Sequence, residues 1–184
     1  MSLRIIAGRH RGRRIAVPAG LAVRPTSDRA REALFGILEH GAPPLRGSRF
    51  LDLFAGSGAA ALEAVSRGAA AALCVDQAGV AIETIRANIA ALGEGERVGV
   101  LRADVNRLGR APQPFDLVFL DPPYGSGFAV SALAALASGG WLAPGALVVA
   151  ETAARDRFAP PDGWVVEDDR RYGAARFLFL RQAA

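Results

Sequence analysis

Cysteine is nearly absent: Cys74 is the only one, and it sits inside an apolar run. A single thiol excludes a disulfide framework and a cysteine-ligated metal cluster, and it reads as a buried side chain. Histidine is almost as scarce. His10 and His40 alone argue against a zinc site or a serine–histidine–aspartate triad, so no metal is expected. Lysine is missing altogether, and all 22 basic residues are arginine. With abundant alanine and glycine, that bias reflects genome composition as readily as a selection for guanidinium groups. No apolar stretch reaches the ~20 residues that span a bilayer. The opening Met1-Ser2-Leu3-Arg4-Ile5-Ile6 lacks the longer apolar core of a signal peptide. With 51% hydrophobic residues, the expectation is one folded, cytoplasmic domain over residues 1–184.

Charge is unevenly placed. Residues 1–31 hold eight arginines against one acid, Asp28, a net of +7. The remaining 14 arginines face 17 acids, a net of −3. A basic stripe on a mildly acidic body is an electrostatic footprint for nucleic acid, with a solvated basic face as the alternative.

Residues 3–7 and 14–17 read as two short strands joined by an arginine-rich tip, a hairpin. Thr26, Ser27 and Asp28 can each cap the helix that follows, whose Leu34, Phe35 and Leu38 share one face up to Gly41. From residue 49 strands and helices alternate. Strands are predicted at 49–54, 71–75, 98–101, 115–120 and 146–150, with a closing pair at 164–170 and 176–180. Helices are predicted up to Arg67, up to Leu92 and over 129–137. This order specifies a doubly wound α/β sheet.

In such sheets ligands bind beyond the carboxyl ends of the strands. Four predicted strands run into an acid there: Asp76, Asp104, Asp121 and Glu151. Gly56-Ser57-Gly58 follows the first strand and offers backbone N–H groups near a helix N-terminus. Asp76 lies 20 residues after Gly56, the spacing at which an acid accepts from ribose hydroxyls. With Ala61 at the third glycine position, the loop suits NAD, FAD or S-adenosylmethionine equally well. The tetrad Asp121-Pro122-Pro123-Tyr124 discriminates. Its prolines fix φ and remove two donors, so the Asp121 and Pro122 carbonyls form a rigid row of acceptors beside an aromatic ring. A planar base with an exocyclic amine fits that arrangement, and hydride transfer has no use for it.

These residues resemble the amino-methylating class I S-adenosylmethionine-dependent methyltransferases. The chain is most similar to the small-subunit (16S) ribosomal RNA guanine-N2 methyltransferase D family. The resemblance spans almost the whole chain. Its motifs are Arg4-Ile5-Ile6-Ala7-Gly8 with Arg11-Gly12-Arg13, Arg24-Pro25-Thr26 with Asp28-Arg29, and Arg31-Glu32-Ala33-Leu34-Phe35. They continue in Asp52-Leu53-Phe54-Ala55-Gly56-Ser57-Gly58, Leu62-Glu63-Ala64, Ser66-Arg67-Gly68, Asn88 and the tetrad. The tetrad marks the class, and the N-terminal block marks the family.

The resemblance implies a Rossmann-like seven-stranded sheet, with residues 1–45 as an RNA-binding hairpin and helix. It implies S-adenosylmethionine held by Asp52, Phe54, Ala55, Gly56, Ser57, Gly58, Asp76, Asp104 and Asp121. Asp52 and the loop would take the methionine end, Asp76 the ribose and Asp104 the adenine amine. Asp121, Pro122, Pro123 and Tyr124 would be catalytic, with Tyr124 stacked on the base. Arg9, Arg11, Arg13, Arg14, Arg24, Thr26 and Arg29 would meet RNA. The implied partner is 16S ribosomal RNA or the assembling small subunit, bound by a monomer. Ala60, Ala61 and Asp76 depart from the family's usual Leu, Gly and Glu. Three alternatives stay open: methylation of another RNA or DNA base, a dinucleotide oxidoreductase, and a silent RNA-binding module. The second leaves the tetrad unexplained, and the third leaves the acids unexplained.

Overall fold

The computed structural model describes residues 2–20, 27–123, 127–156 and 158–183. Arg24, Thr26 and Tyr124 of the expected site lie outside the described residues. The chain opens with an antiparallel pair, β1 (Ser2–Arg4) and β2 (Arg14–Ala16), in the register Leu3↔Ile15. Helix α1 (Asp28–His40) follows, with Ser27 as its N-cap accepting from the Ala30 N–H at 3.2 Å. Its Leu34, Phe35 and Leu38 are buried, as their spacing predicts.

The rest alternates: β3 (Arg49–Leu53), α2 (Ala59–Ser66), β4 (Ala71–Asp76), α3 (Gly79–Leu92), β5 (Val98–Arg102), β6 (Phe115–Leu120), α4 (Phe128–Ser138) and β7 (Leu142–Ala153). An antiparallel pair, β8 (Trp164–Tyr172) and β9 (Ala175–Gln182), completes a seven-stranded sheet in the order β5-β4-β3-β6-β7-β9-β8. Strand order reverses between β3 and β6, which makes that gap the switch point where a crevice opens.

Side chains alternate across the sheet, so each strand feeds two cores. Phe50, Cys74, Leu117, Phe119 and Val149 join α1, α2 and α3 on one face. Leu51, Leu53, Val75, Val118, Leu120 and Val148 join Ala132, Leu133 and Leu136 of α4 on the other. Strands covered on both faces need continuous apolar runs, and Phe115–Leu120 supplies one.

Two expectations need correction. The seventh strand in chain order is longer than predicted. It is predicted over 146–150, yet β7 runs from Leu142 to Ala153, with a register shift against β6 between Phe115 and Leu117. Glu151 is therefore inside the strand, opposite Phe177, and 2% exposed rather than at the rim. The hairpin is also shorter than predicted, because Ile6 and Ala7 leave the ladder. Their N–H groups donate to the fully buried Glu63 carboxylate at 2.8 and 3.0 Å. The tip, Gly8–His10, is a short 3₁₀ turn seated on α2, where the His10 N–H donates to Ser66 Oγ. Ser66 Oγ in turn donates to the Ala7 carbonyl at 2.6 Å.

Gly8 is where this seat tolerates no side chain. Its φ is +79°, and a Cβ there would lie 1.9 Å from the Ser66 carbonyl oxygen. Gly12 has a similar φ of +81° and open space around it. Gly12→Ala should therefore cost only the backbone strain, about 1–2 kcal/mol. Gly8→Ala should cost that plus a further overpacking loss of about 1–3 kcal/mol. Urea unfolding of the two variants checks this, and equal losses would mean that the hairpin is not seated on α2.

Candidate active site

The Gly56-Ser57-Gly58 loop is held from three directions. The Ala55 N–H donates to the Val75 carbonyl at 3.1 Å, and the Gly58 N–H closes on Ala55 at 2.7 Å. The Gly56 N–H donates to Asp76 Oδ2 at 2.9 Å. Asn88 Nδ2 donates to the Ser57 carbonyl at 2.9 Å and also reaches Ala16 of β2. Phe54 turns the chain out of β3 at φ +59°, a region non-glycine residues seldom occupy. Its ring stacks on Phe128, with centroids 6.2 Å apart and planes 4° apart. Backbone strain of this kind collects at functional sites.

Carboxylates gather on the sheet face that meets α1 and α2. Asp52 is 2% exposed, and its Oδ2 accepts from the Ala61 N–H at 3.1 Å. Burial pushes its acid up to about 8, the Ala61 N–H partly offsets this, and the Asp76 charge adds to the rise. Asp121 follows β6 and is also raised well above the ordinary carboxylate value. Burial is the main cause, and repulsion from Glu151 and Asp52 adds to it. The register pair Leu120↔Ala150 brings Asp121 level with Glu151 of β7. The sequence placed Glu151 among the strand-end acids and gave it no role.

Asp76 and Asp104 stand further along the sheet. Asp76 is half-buried and accepts from the N–H groups of both Gly56 and Ala78 at 2.9 Å. The shorter acid thus braces the loop directly. Asp104 caps a short 3₁₀ turn and accepts from the Asn106 N–H at 2.9 Å. Pro122 is buried and Pro123 exposed.

Asp52, Phe54, Ala55, Gly56, Ser57 and Asp121 all line one cavity of about 100 Å³. Leu3, Arg31, Leu34 and Phe35 of the N-terminal segment close it from the other side. It is too small for a whole ligand of cofactor size, which needs at least about 300 Å³. It suits one end of such a ligand, and Asp76 and Asp104 stand outside it. Arg31 belongs to this site, although its sequence neighbours suggested only a basic helix face. Burial depresses its guanidinium from the usual value.

The basic residues divide into two sets. Arg9 pairs with the buried Glu94, which also holds His10 and Arg97, and Arg13 donates to the Ala91 carbonyl at 2.8 Å. Arg11 and Arg14 are exposed, with no ion-pair partner among the described residues. Arg29 borders a separate cleft of about 270 Å³ with Ser27, Arg171 and Tyr172. Arg171 of β8 thus stands beside Arg29 of α1.

The Asp52 carboxyl gives a direct test of this electrostatic picture. Its folded-state pKa of about 8 lies above the ~3.9 of an unfolded aspartate. The stability it confers is complete below about pH 4 and is lost as pH rises through 8. Asp52→Asn should flatten that decline by up to about 1.4 kcal/mol per pH unit. Urea unfolding at several pH values compares the two. Parallel curves would show that Asp52 ionises normally.

Comparison with known proteins agrees with the fold and with the motifs. The family described as conserved hypothetical protein 95 matches residues 3–181. The chain is 35% identical over 183 residues to ribosomal RNA small subunit methyltransferase D of Escherichia coli strain K12, covering 98% of this chain and 91% of that one. The solved structure of an E. coli candidate methyltransferase, yhhF, superposes with a TM-score of 0.84 at 34% identity, covering 100% and 99% of the two chains. That of a candidate methylase from Haemophilus influenzae gives 0.82 at 30% identity, with both chains fully covered. The sheet is of the class I methyltransferase type, and the chain belongs to the ribosomal RNA small subunit methyltransferase D family.

Proposed function

We propose that the protein transfers a methyl group from S-adenosylmethionine to the exocyclic N2 amine of a guanine in small-subunit (16S) ribosomal RNA. The observation that carries this reading is the shared cavity of the glycine loop, Asp52 and Asp121 at the switch point. The residues fit the cofactor. Carboxyls whose ionisation burial opposes are stabilised by a cationic ligand, and S-adenosylmethionine carries an ammonium and a sulfonium. Asp76 takes the ribose hydroxyls, and Asp104 the adenine amine. The same arrangement suits a monomer acting on RNA or on an assembling subunit, with residues 1–45 as the RNA-docking segment. No described helix is long and apolar enough to cross a membrane, and no described cluster of side chains could hold a metal.

The cofactor supplies an electrophilic methyl on a positively charged sulfur. The protein's task is to prepare the nitrogen. A guanine amine is flat because its lone pair is delocalised into the ring. Acceptors at Asp121 and the Pro122 carbonyl draw its hydrogens out of plane and turn the lone pair toward the methyl. Transfer then depends on positioning and on fixed charge. Asp121 and the Pro122 carbonyl would hold the nitrogen that takes the methyl, with the sulfonium as the leaving group that keeps the S–C pair. The nitrogen becomes acidic and releases a proton without a strong base. The base must leave its stack to enter, and stacking on Tyr124 returns ~1–3 kcal/mol of that cost.

Tritiated S-adenosylmethionine, small-subunit RNA and nucleoside analysis test the reaction. Label should appear in N2-methylguanosine, and label in any other nucleoside would overturn the assignment. Asp121→Ala should abolish transfer, a loss far larger than any weakening of S-adenosylmethionine binding. Tyr124→Ala should be severe and Tyr124→Phe mild, because stacking needs only the ring.

The free and paired arginines make a second prediction. Replacing Arg11 and Arg14 with alanine should reduce the slope of log affinity against log salt by about 1.4–1.8 units. Arg9→Ala should change it less, since Glu94 already compensates that charge. Thermal stability should be unaffected by the double substitution. An unchanged slope would remove the hairpin from the RNA interface.

A further inference from the structure

Buried charge in this chain is generally answered in full. Glu63 accepts from Ile6, Ala7 and Arg67, and Glu94 is surrounded by Arg9, His10 and Arg97. Arg31 is an exception. It is 4% exposed, and its Nη2 donates to the Arg4 carbonyl at 2.7 Å and to Asp28 Oδ1 at 3.1 Å. Its Nε has no hydrogen-bond partner among the described residues. Two other buried polar atoms share that condition, Arg67 Nη2 and Thr152 Oγ1, but neither residue lines the cavity.

A guanidinium N–H without an acceptor in a dry site is costly, and such groups call for an explanation. Arg31 also borders the cavity. Its wall opposite α1 is the first turn of α2, with Ala59 and Ala60 lining it and Gly58 as an N-cap that offers no side-chain acceptor. Free N–H groups at a helix start favour an anion. Asp52 takes the Ala61 N–H and leaves the earlier turn open. The same small space is thus lined both by donors, from Arg31 and α2, and by carboxyls, from Asp52 and Asp121. A ligand end carrying both an anion and a cation satisfies both sets. An α-amino acid group is such an end.

We infer that Arg31 is the anchor for the α-carboxylate of the cofactor's methionine moiety, with the N-terminus of α2 completing the anion seat and Asp52 and Asp121 facing the ammonium. This rests on S-adenosylmethionine being the cofactor. It gives α1 a second task beyond packing: its first turn carries Asp28, which holds Arg31 in place at one end, while Leu34 and Phe35 close the same cavity. It also makes the N-terminal segment part of the cofactor site and not only of the RNA-docking surface.

Calorimetry with two ligands separates this role from a structural one. S-adenosylhomocysteine carries the amino-acid end, and methylthioadenosine keeps only the nucleoside and thioether. Arg31→Ala should weaken S-adenosylhomocysteine about ten- to a hundredfold. It should leave methylthioadenosine unchanged within about twofold, because that ligand never reaches Arg31. Arg31→Lys, which keeps the charge with less reach, should show a smaller loss with the same selectivity. In the unaltered protein, decarboxylated S-adenosylhomocysteine should bind about as weakly as S-adenosylhomocysteine binds Arg31→Ala, a comparison independent of any variant's folding. Equal weakening of both ligands would reduce Arg31 to a support for α1 and overturn the inference. So would a loss of RNA affinity with S-adenosylhomocysteine binding intact, which would assign Arg31 to the target base. Failure of methylthioadenosine to bind the unaltered protein would overturn the cofactor assignment itself.

Discussion

Three carboxyl side chains, Asp52, Asp121 and Glu151, lie close together on one face of neighbouring strands. Asp52 and Glu151 are each 2% exposed, and Glu151 and Asp52 both add to the burial that raises Asp121. Like charges in a low dielectric oppose one another's ionisation and weaken the fold that holds them. The arrangement is stable because the rest of the crevice is over-determined. Leu53, Val75 and Leu120 are fully buried beneath it, and the loop above is fixed by backbone bonds, Asp76 and Asn88. Destabilisation concentrated in one cleft of an otherwise well-packed sheet is the usual sign that a ligand completes the electrostatics.

The N-terminal hairpin enters this balance through side chains rather than through the main sheet. Asn88 carries the coupling. Its amide accepts from the Ala16 N–H and donates to the Ala16 and Ser57 carbonyls, so one side chain joins β2 to the glycine loop. Glu63 fixes the other end of the hairpin from within α2, whose N-terminus faces the cavity. A rigid seat of this kind serves positioning. Phosphate contacts orient a nucleic acid without selecting the base, and they do so usefully only if their frame is fixed relative to the chemistry.

The alternation of strand and helix and the strand-end acids other than Glu151 were legible because each has a local signature. Phe115–Leu120 is a two-faced apolar run, and Gly56 and Asp76 sit at a diagnostic spacing. What escaped the sequence depends on partners far along the chain. Ile6 and Ala7 leave their strand for a carboxylate 57 and 56 positions away, and no local pattern announces that exchange. Glu151 looked like a strand end because an acid closes the apolar run 146–150, whereas pairing with β9 as far as Ala153↔Ala175 carries the strand past it. Arg31 looked like one more basic residue on a helix. Its burial follows from the docking of β1, whose Arg4 carbonyl accepts from it. A signal existed in the spacing: Arg31 falls on the same helical stripe as Leu34, Phe35 and Leu38, an apolar face where a charge demands a partner.

The placement of charge also constrains what can enter. Exposed arginines stand outside the crevice, at positions 11 and 14 on the hairpin and at 171 beside Arg29. The interior is lined by acids. On the proposed reading, a phosphate backbone is drawn to the first set and meets no exposed cation among the buried carboxyls, so the strand itself is held at the rim. An uncharged base needs no such cation, and its amine hydrogens gain acceptors by entering. Selection for a base over the backbone therefore needs no dedicated gate. It follows from the separation of exposed arginine from buried carboxyl, and Arg31 keeps it intact because its charge is buried and not presented to the RNA.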